Sequence, residues 1–155
     1  MDSTKRSAFV TEPANYPRPL RVVGEQITLL ASAKKTGSYE VLLQDGVEGS
    51  GPPPHHHPWD ESFYVTRGEI TFKFNVDDQE QQVVARVGTL VHVPAGTVHS
   101  FSFNEGGGQM INIGSRDALE SMFAHIDREI QPASPDLERL VSICAEHQSQ
   151  IQTPA

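Results

Sequence analysis

The sequence predicts an all-β fold, an antiparallel sandwich or barrel, followed by helices. Between residues 20 and 113, short segments rich in Val, Ile, Leu and Phe are separated by Gly, Asn and Asp. Segments of this length and composition are typical of strands. No helical spacing interrupts them, and parallel strands would need crossover connections of about a dozen or more residues. The strands are therefore predicted to be antiparallel.

The elements are predicted in chain order as an arm, a barrel and a helical end. Residues 1–19 form an extended N-terminal arm, because three prolines there lack the backbone N–H that a helix interior needs. The barrel covers residues 20–114. Its predicted strands are residues 20–23, 26–31, 39–44, 62–66, 70–76, 82–87, 90–93, 100–103 and 109–113. Predicted hairpin turns are residues 67–68, 77–79 and 105–108.

Residues 115–155 are predicted to be helices and a tail of the same domain. The period of the apolar residues changes there from two to about 3.6. Ser115 is the predicted N-cap of the first helix, and Ser134, followed by Pro and Asp, is the predicted start of the second. Both helices are predicted to pack outside the barrel, and the polar end from Gln148 to fray. Their apolar faces are Leu119, Met122, Phe123, Ile126 and Ile130, then Leu137, Leu140, Val141 and Cys144.

Length, charge and hydropathy argue against several kinds of partner for this protein. A chain of 155 residues is the length of one domain, and its formal charge is −8, with Lys and Arg scattered. Nucleic acid and anionic membranes are poor partners for such a surface. No apolar run approaches the roughly 20 residues of a membrane helix, and the start lacks a signal-peptide core. We predict a cytoplasmic protein with no membrane partner.

Residues 49–68 contain a compact set of metal-ligand side chains. In an extended backbone His55 and His57 point to one face while His56 points away. Glu61 follows four residues later, which is enough to turn the chain and return. Two imidazoles and a carboxylate suit a divalent transition ion better than Ca²⁺, which prefers oxygen ligands. A metal site is therefore predicted here.

A second group, residues 88–99, supplies a fourth candidate ligand, His99. Together the two groups resemble the two signature motifs of the cupin superfamily. The first motif is met at Gly49, His55, His57, Glu61 and Gly68, and the second at Gly88, Pro94, Gly96 and His99. One position departs from the family pattern, which expects asparagine where Phe103 stands. Asn104 follows it.

The resemblance covers about residues 20–114 and implies a jelly-roll barrel with the metal inside. The implied ligands are His55, His57, Glu61 and His99. Residues 53–61 look like the single-domain, quercetin-dioxygenase-like branch. Four protein ligands fit a closed structural zinc or an octahedral ion with about two open positions, and a barrel interior favours the second. The ligands leave Fe, Mn, Ni, Co, Cu and Zn open as the ion. Cupins usually dimerise, so a homodimer is implied, with the arm across the interface.

Alternation of side chains predicts an apolar, aromatic substrate pocket beside the ion. Such a pocket suits a flat chelating enol, catechol or diketone. It suits a sugar nucleotide less, because phosphates call for convergent Arg or Lys. The predicted pocket side chains are Phe63, Val65, Phe72, Phe74, Phe101 and Phe103.

The leading hypothesis is a metal-dependent dioxygenase of a small aromatic or enolic substrate, with Glu61 as a catalytic base. A second hypothesis is an isomerase, lyase or decarboxylase in the same pocket, whose turnover would not need oxygen. A third is a non-catalytic module that binds or senses a small ligand. Fold alone does not choose among them.

Overall fold

The computed structural model describes residues 6–152, and this part of the chain contains nine strands and three helices. All strand pairings are antiparallel, so the predicted all-β barrel with C-terminal helices is confirmed. The strands are β1 Leu20–Val22, β2 Glu25–Ala31, β3 Glu40–Gly46, β4 His55–His56, β5 Glu61–Val76, β6 Gln79–Ala85, β7 Leu90–Val93, β8 His99–Gly114 and β9 Gln150–Ile151. The helices are α1 Ala33–Thr36, α2 Leu119–Glu129 and α3 Leu137–Glu146.

One curled sheet contains all nine strands and is built around the long strands β5 and β8. Residues 108–114 of β8 pair with β3 on one side and β5 on the other. Residues 99–103 pair with β5 again, and β6 and β7 also pair with β5. The two long strands thus change neighbours along their length, which curls the sheet around an interior.

Two of the three predicted hairpins are wrong. Residues 67–68 lie inside β5 and residues 105–108 lie inside β8, where the pairing of the two strands shifts register. Gly68 adopts a φ of +73°, and a Cβ there would lie 2.3 Å from the carbonyl oxygen of Gly107. The turn-forming residues therefore mark a bulge between long strands, where glycine is also favoured, and not a reversal of the chain.

The third predicted hairpin is confirmed, because Asp77 and Asp78 join β5 to β6. Both residues have positive φ, 49° and 61°, as the tight turns of hairpins require. The helix α1, a single turn between β2 and β3, was not expected from the sequence. Ser32 caps it by accepting a hydrogen bond from the backbone N–H of Lys35 at 3.3 Å.

Both ends of the described chain contact the barrel, since the hydroxyl of Thr11 donates to the carbonyl oxygen of Leu30 on β2 and β9 pairs with β4. Residues 1–5 and 153–155 lie outside the described part, and a short 3-10 turn, Pro13–Asn15, interrupts the predicted extended arm. The prediction that the chain frays from Gln148 is wrong, because β9 pairs with β4. This pairing supplies hydrogen-bond partners for a strand that would otherwise be an open edge.

The two predicted helix caps differ from those in the structure. Ala118, and not Ser115, holds the N-cap position of α2, and its side chain makes no cap. The carboxylate of Glu40 on β3 accepts from the first backbone N–H groups of α2 instead. In α3 the cap is Asp136, two residues after the predicted Ser134. A cap supplied from a distant strand cannot be recognised from local sequence.

Two hydrophobic clusters fill the interior. One joins residues of β2 and β3 to the apolar faces of α2 and α3, so these helices cover one side of the curled sheet. The other lies among the aromatic residues of β5 and β8. No helix within residues 6–152 has the length and apolar character needed to cross a membrane.

Asp127 on α2 fastens the end of the arm to this helix. Its carboxylate, 8% exposed, accepts hydrogen bonds from the guanidinium groups of Arg18 and Arg21. The hydrogen bond from Arg18 holds the pKa of Asp127 well below its ordinary value of 3.8. This stabilisation is therefore present above pH 4 and is lost as the pH falls toward the depressed folded-state value.

We expect Asp127→Asn to lower the free energy of unfolding by about 1–3 kcal/mol at pH 7, because a charge-assisted network loses its acceptor. The difference from the unaltered protein should shrink between pH 4 and pH 2. Urea unfolding at several pH values measures both effects, with Glu105→Gln, at an exposed carboxylate, as the control. An equal effect of Asp127→Asn at every pH would contradict the assignment.

Candidate metal centre

Strand pairing brings the predicted ligands together. In the antiparallel pair of β4 and β8, His55 stands directly opposite His99, which places their side chains within contact distance. His57 lies two residues beyond His55 and shares its face. Glu61, the first residue of β5, enters the same space. The fixed spacing of the two motifs therefore translates into one cluster.

The three imidazoles form a tight, buried group. Ring centroids of His55 and His99 lie 4.2 Å apart, and those of His57 and His99 lie 5.0 Å apart. Each ring offers one nitrogen, and the three nitrogens lie within 4.8 Å of one another. The carboxylate of Glu61 adjoins them, with Oε1 at 3.2 Å from Nε2 of His57 and Oε2 at 3.9 Å from Nε2 of His99. The half-buried His56 stands outside the group.

Backbone carbonyls fix the tautomer of all three histidines. Nδ1 of His55 lies 3.0 Å from the carbonyl oxygen of Pro53, and Nδ1 of His57 and of His99 contact the carbonyl oxygens of Trp59 and Thr97 at 3.0 and 2.9 Å. Because a carbonyl oxygen only accepts hydrogen bonds, each Nδ1 carries the proton. Each neutral ring therefore presents a bare Nε2 lone pair, as metal-bound histidines do.

The cluster fits a cation. Nε2 of His57 and Nε2 of His99 are buried without a hydrogen-bond partner, a costly arrangement for polar atoms. Nε2 of His57 also faces an acceptor oxygen of Glu61 at 3.2 Å, and two lone pairs at this distance repel unless a cation lies near both. Nitrogen ligands with one carboxylate suit a divalent transition ion. The four residues could hold such an ion.

Ionisation of the cluster agrees with metal ligation. Burial lowers the pKa of His55 to about 4 and also lowers the pKa of His99. Burial raises the pKa of Glu61, and only a hydrogen bond from His57 together with positive charge on the surrounding imidazoles holds it below its ordinary value. An ionised Glu61 therefore needs positive charge beside it, which a bound divalent ion would supply while the imidazoles stay neutral.

Trp59 supports the cluster, although it is not among the residues predicted for the site. Its indole ring, 1% exposed, stacks on His57 with centroids 4.0 Å apart and planes 5° apart. Its Nε1–H donates to Oε1 of Glu61 at 3.2 Å. The signal in the sequence is alternation, because residues 55, 57, 59 and 61 share one face if the chain stays extended. Trp59 thus holds two of the candidate ligands in place.

A cavity of about 300 Å³ adjoins the cluster. The ligands His55, His57 and Glu61 form part of its wall. Most of the remaining wall is apolar, and part of it comes from α2 and α3, so these helices, predicted to lie outside the barrel, also border the cavity. Their lining side chains are Leu119, Met122, Phe123, Ile126, Leu137, Leu140 and Cys144.

The predicted pocket residues are divided between cavity and core. Phe101 lines the cavity and also belongs to the neighbouring hydrophobic cluster. The remaining five belong to this cluster or pack against it, together with residues of β6 and β7. Alternation gives the correct inward face of these strands but does not distinguish a packed interior from an open one. The five are Phe63, Val65, Phe72, Phe74 and Phe103.

Three polar residues also line the cavity, and we call Glu25, Gln44 and Asn112 the polar strip. They come from β2, β3 and β8 and are at least nine-tenths buried. None is among the predicted site residues. Their signal in the sequence is a polar residue at an inward-facing position of a strand, next to apolar residues that face the same way.

Comparison with known proteins agrees with the motifs. Residues 43–113 match the family described as Cupin domain. This barrel is a cupin domain. The resemblance predicted from the two motifs is therefore confirmed.

Known cupins and related proteins resemble the chain to different extents. Quercetin 2,3-dioxygenase of Bacillus subtilis (strain 168) is 31% identical over 108 residues, 68% of this chain and 30% of the relative, so the chain spans under a third of that protein. Oxalate decarboxylase of Bacillus subtilis has a TM-score of 0.63 and 15% identity over 76% of this chain and 31% of that one. KdgF from Halomonas sp. has a TM-score of 0.59 and 17% identity over 74% and 98%. These structures share the fold of the cupin domain.

Proposed function

We propose that the cupin domain is a metal-dependent dioxygenase of a small aromatic or enolic substrate. The observation that carries the proposal is the convergence of three buried Nε2 lone pairs, two of them without a partner among residues 6–152, beside a mostly apolar cavity that His55 and His57 line. Sequence similarity to a quercetin 2,3-dioxygenase supports the choice of reaction. The homodimer and the cytoplasmic location stay predictions.

A divalent ion held by His55, His57, Glu61 and His99, whether Fe, Mn, Ni, Co, Cu or Zn, would supply Lewis-acid and redox chemistry at the cavity wall. The protein's own residues prepare the substrate. Apolar side chains of α2 and α3 exclude water and hold a flat ring.

Glu61 is the proposed base. Its carboxylate lies on the cavity wall beside the candidate histidine ligands, and positive charge from a bound ion would keep it ionised. It would accept the proton of an enol or catechol hydroxyl, leaving the substrate oxygen as an anion. Trp59 donates to Oε1, which leaves Oε2 free for this transfer.

Charge on the cavity wall favours a neutral substrate. No Lys or Arg among residues 6–152 lines the cavity, and its two acids are Glu25 and Glu61. A phosphate or carboxylate would therefore meet no protein cation there, and removing its charge from water would cost several kcal/mol. Flavonols, catechols and diketones satisfy this condition.

Oxygen consumption tests the proposal. Untagged protein is loaded separately with each candidate ion and mixed with a flavonol, a catechol or a diketone. With at least one ion, we expect oxygen uptake that matches substrate loss. His99→Ala should lower the rate by more than about 100-fold, since even changes beside metal ligands typically cost 10- to 100-fold.

His92→Ala is the matched control, because the exposed His92 contacts the hydroxyl of the half-buried Ser62 at 2.9 Å, outside the cluster. It should retain the full rate. Turnover that continues without oxygen would replace the proposal with an isomerase, lyase or decarboxylase. Ligand binding without turnover under any ion would identify a binding or sensor protein.

A further inference from the structure

The polar strip is a directed chain of hydrogen bonds along the strand wall of the cavity. Nδ2 of Asn112 donates to Oε1 of Gln44 at 2.7 Å, and Nε2 of Gln44 donates to Oε1 of Glu25 at 2.9 Å. The metal site uses none of these three side chains. The strip is a second polar group, besides His55, His57 and Glu61, on a wall that is mostly apolar.

One end of the strip has an unused acceptor. Oδ1 of Asn112 is buried without a hydrogen-bond partner in the described part of the chain, and the side chain is 2% exposed. Rotation of the amide is opposed by the hydrogen bond from its Nδ2 to Gln44, which Glu25 orients in turn. A buried acceptor without a partner is unfavourable, so a ligand that donates a hydrogen bond here would remove a cost already present in the fold.

The strip carries little charge at neutral pH. Burial, opposed by the hydrogen bond from Gln44 and assisted by the charge of Glu61, raises the pKa of Glu25 to about 8. The carboxyl of Glu25 is therefore mostly protonated at pH 7, and Gln44 and Asn112 are neutral amides. A strip of this kind suits an uncharged hydroxyl group better than an ion.

We propose that Asn112 is a specificity-determining residue, which accepts a hydrogen bond from a hydroxyl group of a neutral ring ligand, and that Gln44 and Glu25 are positioning residues for it. The ligand class is a polyhydroxylated aromatic, with one oxygen for the metal centre and a second hydroxyl for the strip. The identity of this class rests on the proposed function, whereas the role of Asn112 in binding does not require turnover.

The ligand must thus meet two requirements, an oxygen that binds the metal centre and a second hydroxyl that reaches Asn112. The apolar walls accept a flat ring in several orientations, and the metal centre accepts any chelating oxygen. A second hydroxyl at Asn112 would select one orientation and reject analogues without it, because the loss of a hydrogen bond to a buried acceptor leaves that acceptor unpaired.

The test compares two probes by calorimetry. Quercetin and the flavonol that lacks the hydroxyls of the pendant ring are titrated into zinc-loaded protein under nitrogen, so that no oxygen reaction interferes. The unaltered protein should bind quercetin about tenfold more tightly. Asn112→Leu should reduce this ratio to about one to two, chiefly by weakening quercetin.

Two further variants separate recognition from folding. Gln44→Leu frees the amide of Asn112 and should also reduce the ratio, so it serves where Asn112→Leu fails to fold. Gln26→Leu changes an exposed residue of β2 beside Glu25 and should leave the ratio unchanged. Zinc content of each variant is measured in parallel, because a structural defect would lower metal content and weaken both probes alike.

An unchanged ratio in folded Asn112→Leu and Gln44→Leu, a ratio near one in the unaltered protein, or no binding of either probe would overturn the inference. Failure of the dioxygenase proposal would give a different result. If the binding ratio depends on Asn112 but no oxygen is consumed, the role of Asn112 is supported and the dioxygenase proposal is excluded. If oxygen is consumed but the ratio does not depend on Asn112, the dioxygenase proposal is supported and the role of Asn112 is excluded.

Discussion

Replacement of His57 by alanine is expected to lower metal affinity by more than about 100-fold, so that dialysed protein loses its bound ion. His57 supplies one of three convergent Nε2 atoms, and its ring also stacks on Trp59. Two imidazoles and Glu61 would remain, a weaker set with an extra open position. Elemental analysis of untagged protein measures the loss.

His56→Ala is the matched control. The same residue type stands one position earlier in the chain, half-buried and outside the cluster of Nε2 atoms. This variant should keep its stoichiometric metal, and His99→Ala should lose it as His57→Ala does. Equal metal content in the variants of positions 56 and 57 would exclude the centre as we describe it.

Glu40→Ala is expected to lower the free energy of unfolding by about 2–4 kcal/mol. The fully buried carboxylate accepts backbone N–H groups of Ala118, Leu119 and Glu120 at 3.3, 2.8 and 2.9 Å. Loss of an ordinary helix cap costs about 0.5–2 kcal/mol, and buried donors without a partner add about 1–3 kcal/mol. Denaturant unfolding followed by circular dichroism measures the change.

Asp117→Ala is the control for this variant, because Asp117 is an exposed acid next to the same helix start. Its effect should stay within about 0.5 kcal/mol, as for most surface substitutions. Glu40→Gln keeps one acceptor oxygen and should fall between the two. If Glu40→Ala and Asp117→Ala were equally stable, α2 would not depend on a cap from β3.

Local sequence carries much of the fold but not the length of its strands. Alternation of apolar residues gives the positions of most strands correctly. Gly68 and Gly107 are compatible with a β-bulge as well as with a hairpin turn. Only the pairing between β5 and β8 decides that the chain does not reverse there. Likewise β4 and β9, with two residues each, have no periodicity of their own and exist because they pair with each other.

The candidate site, like the fold, can be predicted only in part from local sequence. Residues at fixed spacing predict the cluster, because the spacing and the strand register together place His55 opposite His99. Whether an inward-facing side chain borders the cavity or packs in the core depends, in contrast, on the distance between the helices and the sheet. Phe72 and Asn112 both face inward, yet one packs in a cluster and the other borders the cavity. No local pattern encodes that distance.

The pairing of β9 with β4 links the end of the described chain to the metal centre. Ile151 stands opposite His55, and the N–H of Gln152 donates to the carbonyl oxygen of Pro54 at 2.8 Å. If this pairing favours the metal-binding arrangement of His55, then ion binding must favour the pairing by the same free energy. In this way β9, which contributes none of the four candidate ligands, would be thermodynamically coupled to metal binding.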